Sequence, residues 1–138
     1  HWFSHRMVLD LTFFISSTSL EKWYYVQTSD SRVKNNFSAS PGLKEILALS
    51  PKRYRHYECL NFEPESKKMK LGKNFINKVG FLAQDVKKVI PEAVTDTGSE
   101  DALYGIDYSC IVACLVQAVQ ELNGQVAELR TQLQAFSA

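Results

Sequence analysis

The sequence of 138 residues lacks an apolar run that approaches the roughly 20 residues of a membrane-spanning helix. The most apolar stretch, 7–15, is interrupted by Asp10 and Thr12, and neither a basic start nor a small-residue cleavage site frames it as a signal peptide. A charge excess is also missing, because 16 basic residues stand against 15 acidic ones. Dedicated nucleic-acid binders normally carry a basic excess. We therefore predict neither a membrane nor a nucleic acid as partner.

Cysteine is scarce, and the three residues make an odd count that does not indicate a secreted disulfide framework. A reducing compartment is the simpler interpretation. His56 and Cys59 form an H-x-x-C pair, and Cys110 and Cys114 are four residues apart, so together they offer four possible zinc ligands. The spacing between the pairs matches no compact zinc module, and Gly72 lacks the neighbours of a phosphate-binding loop. We predict no metal and no cofactor.

The first 28 residues are predicted to form β-structure, and residues 3–16 alternate with period two. Apolar side chains fall on most odd positions between Phe3 and Ile15, and polar ones on most even positions, which predicts a strand with one buried face. A polar turn over 16–21 leads to a second, aromatic-rich strand over 22–28. Because the chain starts at His1 rather than Met, we expect it to be part of a longer protein.

Short elements follow, separated by turn residues. In chain order they are a polar loop over 29–42, a short helix from Leu43 that Pro51 ends, an ambivalent strand over 53–62, a charged loop or hairpin over 63–77, an extended stretch over 79–82, a helix over 83–90 and a strand over 103–106. Asp107 is a plausible N-cap for a last helix over about 108–136. The charged stretch is expected to protrude.

The last helix carries an unbroken heptad seam. Its apolar residues are Leu115, Val119, Leu122, Val126, Leu129, Leu133 and Phe136. The narrow seam favours self-association over packing on the chain's own domain. Valine at the a positions and leucine at the d positions lean towards two strands.

The chemistry-bearing feature is Ser29-Asp30-Ser31-Arg32-Val33-Lys34. A serine hydroxyl needs a base to remove its proton, and a lysine amine serves when burial or nearby positive charge favours its neutral form. Arg32 is close enough in sequence to supply that charge. A serine and a lysine at this spacing are common, however, and by themselves usually indicate a turn with a solvated cation.

Four ordered blocks place this hexapeptide in a wider pattern. The blocks are Ser29–Lys34, Leu49–Tyr54, Gly80–Val86 with Pro91–Val94, and Ile106–Tyr108 leading into Ala118–Leu122. From Ser29 onwards the chain resembles the C-terminal intramolecular chaperone auto-processing domain, a serine-peptidase family of phage endosialidases, tail fibres, tail spikes and neck appendages. The same domain occurs in the myelin regulatory factor family of membrane-tethered transcription factors.

The resemblance implies a trimeric, α+β domain that cuts itself free. Residues 1–28 would be the C-terminal end of an upstream fibre or spike, and residues 29–138 would be the chaperone: a small mixed globular part with a protruding loop and a C-terminal helix in a trimeric coiled coil. Ser29 would be the nucleophile and Lys34 the general base, cutting the Thr28–Ser29 bond once, with Asp30 and Arg32 in support. The partners would be two further copies and the upstream fibre.

The resemblance further implies a virus-encoded protein that works in the host cytoplasm during assembly, leaving the upstream part in the virion tail. Two alternatives remain: a non-cleaving trimeric fibre tip or receptor-binding module, and the transcription-factor setting of the domain. The lysine cluster at Lys67, Lys68, Lys70, Lys73 and Lys78 is either a solvated loop or a protein contact. His5, His56, Gln84 and Asp107 are interpreted as structural.

Overall fold

A computed structural model of the chain describes residues 11–14 and 24–137. The chain divides into two compact units, His1–Ser38 and Ala39–Ala138. The boundary predicted from the sequence at Ser29 falls inside the first unit. The predicted strand over 3–15 and the turn over 16–21 lie largely outside the described residues, and so does His5.

The first unit contains a short antiparallel pair of strands. Strand β1 (Leu11–Phe14) pairs with β2 (Tyr24–Gln27), with Leu11 opposite Gln27 and Phe14 opposite Tyr24. Both strands lie within the ranges that the sequence predicts. A single turn of 3-10 helix, Ser31–Val33, follows. The polar loop expected over 29–42 therefore contains one ordered turn, and it lies next to Ser29.

The second unit mixes helices with two antiparallel strand pairs, which confirms the predicted α+β class. In chain order its elements are α1 (Leu43–Ala48), β3 (Lys52–Glu63), β4 (Lys68–Gly80), α2 (Ala83–Val89), a 3-10 turn (Pro91–Ala93), β5 (Val94–Thr95), β6 (Gly105–Ile106) and α3 (Tyr108–Ser137). The predicted helices are confirmed. The two-residue strand β5 was not predicted.

The longest strands, β3 and β4, form one hairpin. Its register runs from Lys52 opposite Gly80 to Glu63 opposite Lys68, with irregularities on either side of Cys59. Across the hairpin the rings of Tyr57 and Phe75 lie 5.4 Å apart. Most side chains of both strands are exposed. The charged stretch over 63–77, expected as a loop or hairpin, is thus the turn and second strand of a hairpin.

The core lies between α2, the 3-10 turn and α3. Its buried residues are Val86, Ile90, Ala93, Ile111 and Cys114. Pro91 takes the first position of the 3-10 turn, where its missing N–H costs nothing, and so ends α2. Asp107 Oδ1 accepts hydrogen bonds from the backbone N–H groups of Ser109 (3.0 Å) and Cys110 (3.4 Å). Asp107 therefore caps α3, as predicted.

Two carboxylates bind the start of helix α1, one from α1 itself and one from α3. The Glu45 side chain accepts from Gly42 N (2.9 Å), and the Glu121 side chain of α3 accepts from Leu43 N (2.7 Å). The Gly42 N–H lowers the pKa of Glu45 below its ordinary value. The Glu121 carboxylate lies where a side chain on residue 42 would begin, so glycine is the residue that allows this close approach.

Two glycines make a matched pair for a stability prediction. A Cβ on Gly80 would lie 2.5 Å from Tyr108 Oη and 3.0 Å from Tyr54 Oη, whereas a Cβ on Gly124 would meet nothing within 4 Å. We expect Gly80→Ala to lower the free energy of unfolding by about 1–3 kcal/mol through overpacking. We expect Gly124→Ala to raise it by about 0.5–1 kcal/mol, because alanine is the better helix former.

Urea unfolding at one protein concentration measures both changes. Equal effects of the two substitutions would contradict the close packing of Tyr54 and Tyr108 over Gly80.

Candidate functional site

The candidate nucleophile lies directly after strand β2. The strand ends at Gln27, Thr28 follows without regular structure, and Ser29 comes next. The Thr28–Ser29 bond is therefore one residue beyond the strand, close to where the sequence places it. Among the described residues other than glycine, positive φ occurs at Asn36 and Lys67. Near the site, the residue with an unusual backbone conformation is therefore Asn36, two residues after Lys34, rather than Ser29 or Lys34.

The structure brings Ser29 and Lys34 together. Lys34 Nζ lies 2.6 Å from Ser29 Oγ. As an ammonium, Lys34 donates in this contact; as a neutral amine, its nitrogen can accept the hydroxyl proton. Both residues are exposed in the single chain. The contact has the length required of a nucleophile and its base.

A 3-10 turn makes this contact possible. Val33 N donates to Asp30 O (3.2 Å), and Lys34 N donates to Ser31 O (3.1 Å). Residue 34 then returns to extended backbone, with φ −129° and ψ 141°. The turn shortens the path between the two reactive side chains, so that a lysine five residues after the serine reaches back to its hydroxyl.

Asp30 and Arg32 bind each other inside that turn. Asp30 Oδ1 accepts from Arg32 N (2.8 Å) and Nε (3.0 Å), and Oδ2 accepts from Nη2 (2.9 Å). The side-chain bond from Arg32, followed by its backbone bond, lowers the pKa of Asp30, and the same pairing raises the pKa of Arg32. Arg32 is expected from the sequence to supply positive charge near Lys34. Its guanidinium is instead paired with a carboxylate.

The heptad seam forms a second candidate site on α3. One stripe of the helix, Ile111, Cys114 and Ala118, is buried in the chain's own core. The neighbouring stripe is exposed along its whole length. It comprises Leu115, Val119, Leu122, Val126, Leu129, Leu133 and Phe136, whose exposed fractions run from 39% to 91%.

Helix α3 therefore has an apolar face that nothing in the described part of the chain covers. Beyond Ala118 every described residue of the helix is exposed. This part, residues 119–137, is about 28 Å long at 1.5 Å per residue. An uncovered apolar stripe of this length is typical of helices that pack against a partner.

The other candidates from the sequence do not come together into a site. His56 and Cys59 lie on strand β3, and Cys110 and Cys114 lie on α3. Among residues 28–137, no group of three or more histidine, cysteine or acidic residues is placed to hold a metal ion. Burial raises the pKa of the Cys110 thiol. Within the same residues, no helix has the length and apolar character that a membrane crossing requires.

The predicted lysine cluster lies on the hairpin. Lys67 is in its turn and pairs with Glu100 (3.3 Å), both side chains being largely exposed. The other four lysines are on β4: Lys68, Lys70, Lys73 and Lys78.

Two contacts near the sites are not foreseen by the sequence interpretation. It names Asp30 and Arg32 as supporting residues but not as partners of each other; an aspartate two residues before an arginine, at the N-cap of a short turn, is the signal that was available. It also assigns no contact to Glu121, which binds α1 from the middle of α3. The glutamate in the heptad pattern occupies a polar position, and its partner is far away in sequence.

Comparisons with known proteins agree with the first three of the four sequence blocks, and the fourth lies beyond the residues that the family matches. Residues 29–95 match the family described as chaperone of endosialidase. Long tail fiber protein Gp37 of Enterobacteria phage M1 is 40% identical over 57 residues, which are 40% of this chain and 22% of that protein. The protein of the same name from Enterobacteria phage Ox2 is 40% identical over 55 residues, 38% of this chain and 22% of its own length.

The matched stretch thus spans about a fifth of the length of these curated relatives. No solved structure matches the chain at a comparable level. The family match confirms the resemblance drawn from the sequence over residues 29–95.

Proposed function

We propose that this chain, which carries a segment of the chaperone of endosialidase family at residues 29–95, is the assembly chaperone of a phage tail fibre or spike and releases itself by cutting the Thr28–Ser29 bond. The family match and the tail fibre relatives support a phage fibre chaperone domain. The observation that carries the cleavage proposal is the 2.6 Å contact between Lys34 Nζ and Ser29 Oγ.

The chemistry needs only this chain and water. Neutral Lys34 takes the hydroxyl proton of Ser29 as Oγ attacks the carbonyl carbon of Thr28. The C–N bond breaks, Lys34 returns its proton to the leaving nitrogen, and the Thr28 carbonyl becomes an ester on Ser29 Oγ. Water then hydrolyses the ester, leaving a carboxylate on Thr28 and a free amine and hydroxyl on Ser29. Each chain reacts once, so it is a single-turnover serine endopeptidase acting on itself.

Assembly excludes water from the Ser29–Lys34 dyad. Lys34 and Ser29 are both exposed in the single chain, where water has access to the contact between them. When copies associate and water is excluded from the dyad, the neutral amine becomes favourable. Cleavage then follows assembly, and an unassembled chain stays whole.

The exposed stripe of α3 is the surface through which copies associate. Its heptad spacing fits a coiled coil. The number of copies, three, comes from the family resemblance, since valine at a and leucine at d favour two. A local helix contact that brings copies together raises the effective concentration of the strands upstream, whose pairing carries a larger entropic cost. The chaperone then acts in the host cytoplasm, and the upstream part remains in the virion.

Intact-mass measurement of the purified chain tests the proposal. We expect two products, residues 1–28 and residues 29–138, and we expect Ser29→Ala to abolish them by removing the nucleophile. Light scattering should show a trimer in both samples, which separates loss of chemistry from loss of assembly. An uncut, trimeric wild-type chain would instead favour a non-cleaving fibre-tip module.

A further inference from the structure

We propose that Arg32 is a positioning residue that acts through Asp30: the ion pair closes the turn that returns Lys34 to Ser29. The inference rests on the proposed function, because it concerns the same cleavage reaction. It assigns to Arg32 a geometric role rather than the electrostatic one that its charge suggests.

The contact between Ser29 and Lys34 requires the backbone between them to be more compact than an extended chain. Five residues in extended conformation span about 17 Å, whereas the contacting atoms of Ser29 and Lys34 are 2.6 Å apart. The turn is a single one, Ser31–Val33, and a single 3-10 turn has little stability of its own because few backbone bonds close it. Its persistence in one geometry therefore depends on the side chains that cap it.

Asp30 is that cap, and Arg32 fixes it. One carboxylate oxygen receives the backbone N–H of Arg32, which satisfies a donor at the start of the turn. The guanidinium of Arg32 approaches the same carboxylate through two nitrogens, at 3.0 and 2.9 Å. A bidentate pair of this kind restricts the carboxylate to one orientation.

The same contacts argue against a direct effect of Arg32 charge on Lys34. The Asp30 carboxylate neutralises the guanidinium at close range, so the Asp30–Arg32 unit presents little net charge to the lysine. The Arg32 side chain is 87% exposed, and water screens what remains. Arg32 therefore contributes by holding the Asp30 carboxylate in the orientation that caps the turn.

Cleavage rates of five variants test the inference, measured after assembly and with fold and trimer checked by circular dichroism and light scattering. Asp30→Ala should slow cleavage about fivefold to tenfold, because losing an N-cap side chain lowers the population of the ordered turn by about this factor. Asp30→Asn keeps an oxygen acceptor for Arg32 N and should recover part of the rate. Arg32→Ala and Arg32→Lys should both slow cleavage about twofold to fivefold. Alanine removes the side-chain donors, and lysine keeps the positive charge but cannot bind the Asp30 carboxylate through two nitrogens.

The fifth variant, Asp30→Ala with Arg32→Ala, should be no slower than Asp30→Ala alone, since Arg32 acts only through Asp30. Asn35→Ala is the control: Asn35 is exposed, adjoins Lys34 and takes no part in the turn cap. It should cleave at the wild-type rate.

The pH profile of the rate separates the two roles. A positioning role lowers the rate by the same factor at every pH, whereas an electrostatic role moves the pH of half-maximal rate upward in Arg32→Ala. Such an upward movement, full activity of Arg32→Lys, or an Arg32→Ala effect that persists without Asp30 would overturn the inference. If the Ala variants do not fold, Asp30→Asn and Arg32→Lys decide. Cleavage in Ser29→Ala would overturn the proposed function itself, which is a separate outcome.

Discussion

A chain that carries both Leu122→Asp and Leu129→Asp is expected to be monomeric and uncut at Thr28–Ser29. Both leucines are d positions of the exposed stripe, with exposed fractions of 49% and 63% in the single chain. Fully burying a leucine side chain contributes about 1.5–3 kcal/mol, and roughly half of each leucine is still exposed, so each chain loses about 1.7–3.4 kcal/mol of association free energy. The introduced carboxylates add a desolvation cost wherever the seam is dry. The seam is only about three heptads long, so the other seam residues contribute too little association free energy to compensate for this loss.

Light scattering of the purified variant measures the first effect, and intact mass measures the second. The control is Glu128→Lys, which lies off the seam, is exposed and loses only a contact from Gln132 (3.4 Å). It should assemble and cleave like the wild-type chain. If the double variant remained trimeric and still produced a chain starting at Ser29, the helix would have no part in the mechanism.

The helical part of the fold could be predicted because its signals are local. Apolar spacing predicts α1 and α2, Pro51 and Pro91 mark where helices must end, and Asp107 marks where α3 begins. Each signal is read within a few residues, so no knowledge of the tertiary contacts is needed.

The hairpin was harder to predict for a physical reason. Both faces of β3 and β4 are largely exposed, so no buried face imposes a period-two pattern on residues 63–77. Strand β5 has only two residues and pairs with β6 across nine intervening ones. A strand that short carries no pattern, because its structure comes from its partner.

The candidate site also contains features that local spacing predicts and contacts that depend on the folded structure. The Ser29–Lys34 pair and the seam on α3 follow from short-range spacing, and the family resemblance supplies their roles. The contact of Glu121 with Leu43 could not be predicted, because 78 residues separate them. The Asp30–Arg32 pair could be predicted only in part. The sequence indicates both residues as supporting residues, but their hydrogen bonds depend on the geometry of a turn that the sequence does not determine.

Replacement of Lys34 by arginine is expected to abolish cleavage while leaving assembly intact. Arginine preserves the positive charge and can still reach Ser29 Oγ, but its guanidinium stays protonated in proteins and cannot accept the hydroxyl proton. Lys34→Ala should lose cleavage to the same extent, since it removes the base outright. General-base catalysis contributes about 10²–10⁴-fold, so both variants should remain uncut over times in which the wild-type chain is fully processed.

The comparison of the two variants identifies the role of Lys34. If its role were to hold the turn or to balance the charge of Asp30, Lys34→Arg would retain most of the activity and Lys34→Ala would lose it. If it is the base, both are inactive, and both still form trimers, because Lys34 is exposed and takes no part in the seam. Intact mass after extended incubation measures the cut fraction, and light scattering measures assembly in the same samples. A Lys34→Arg chain that processes itself at the wild-type rate would show that another group removes the proton from Ser29.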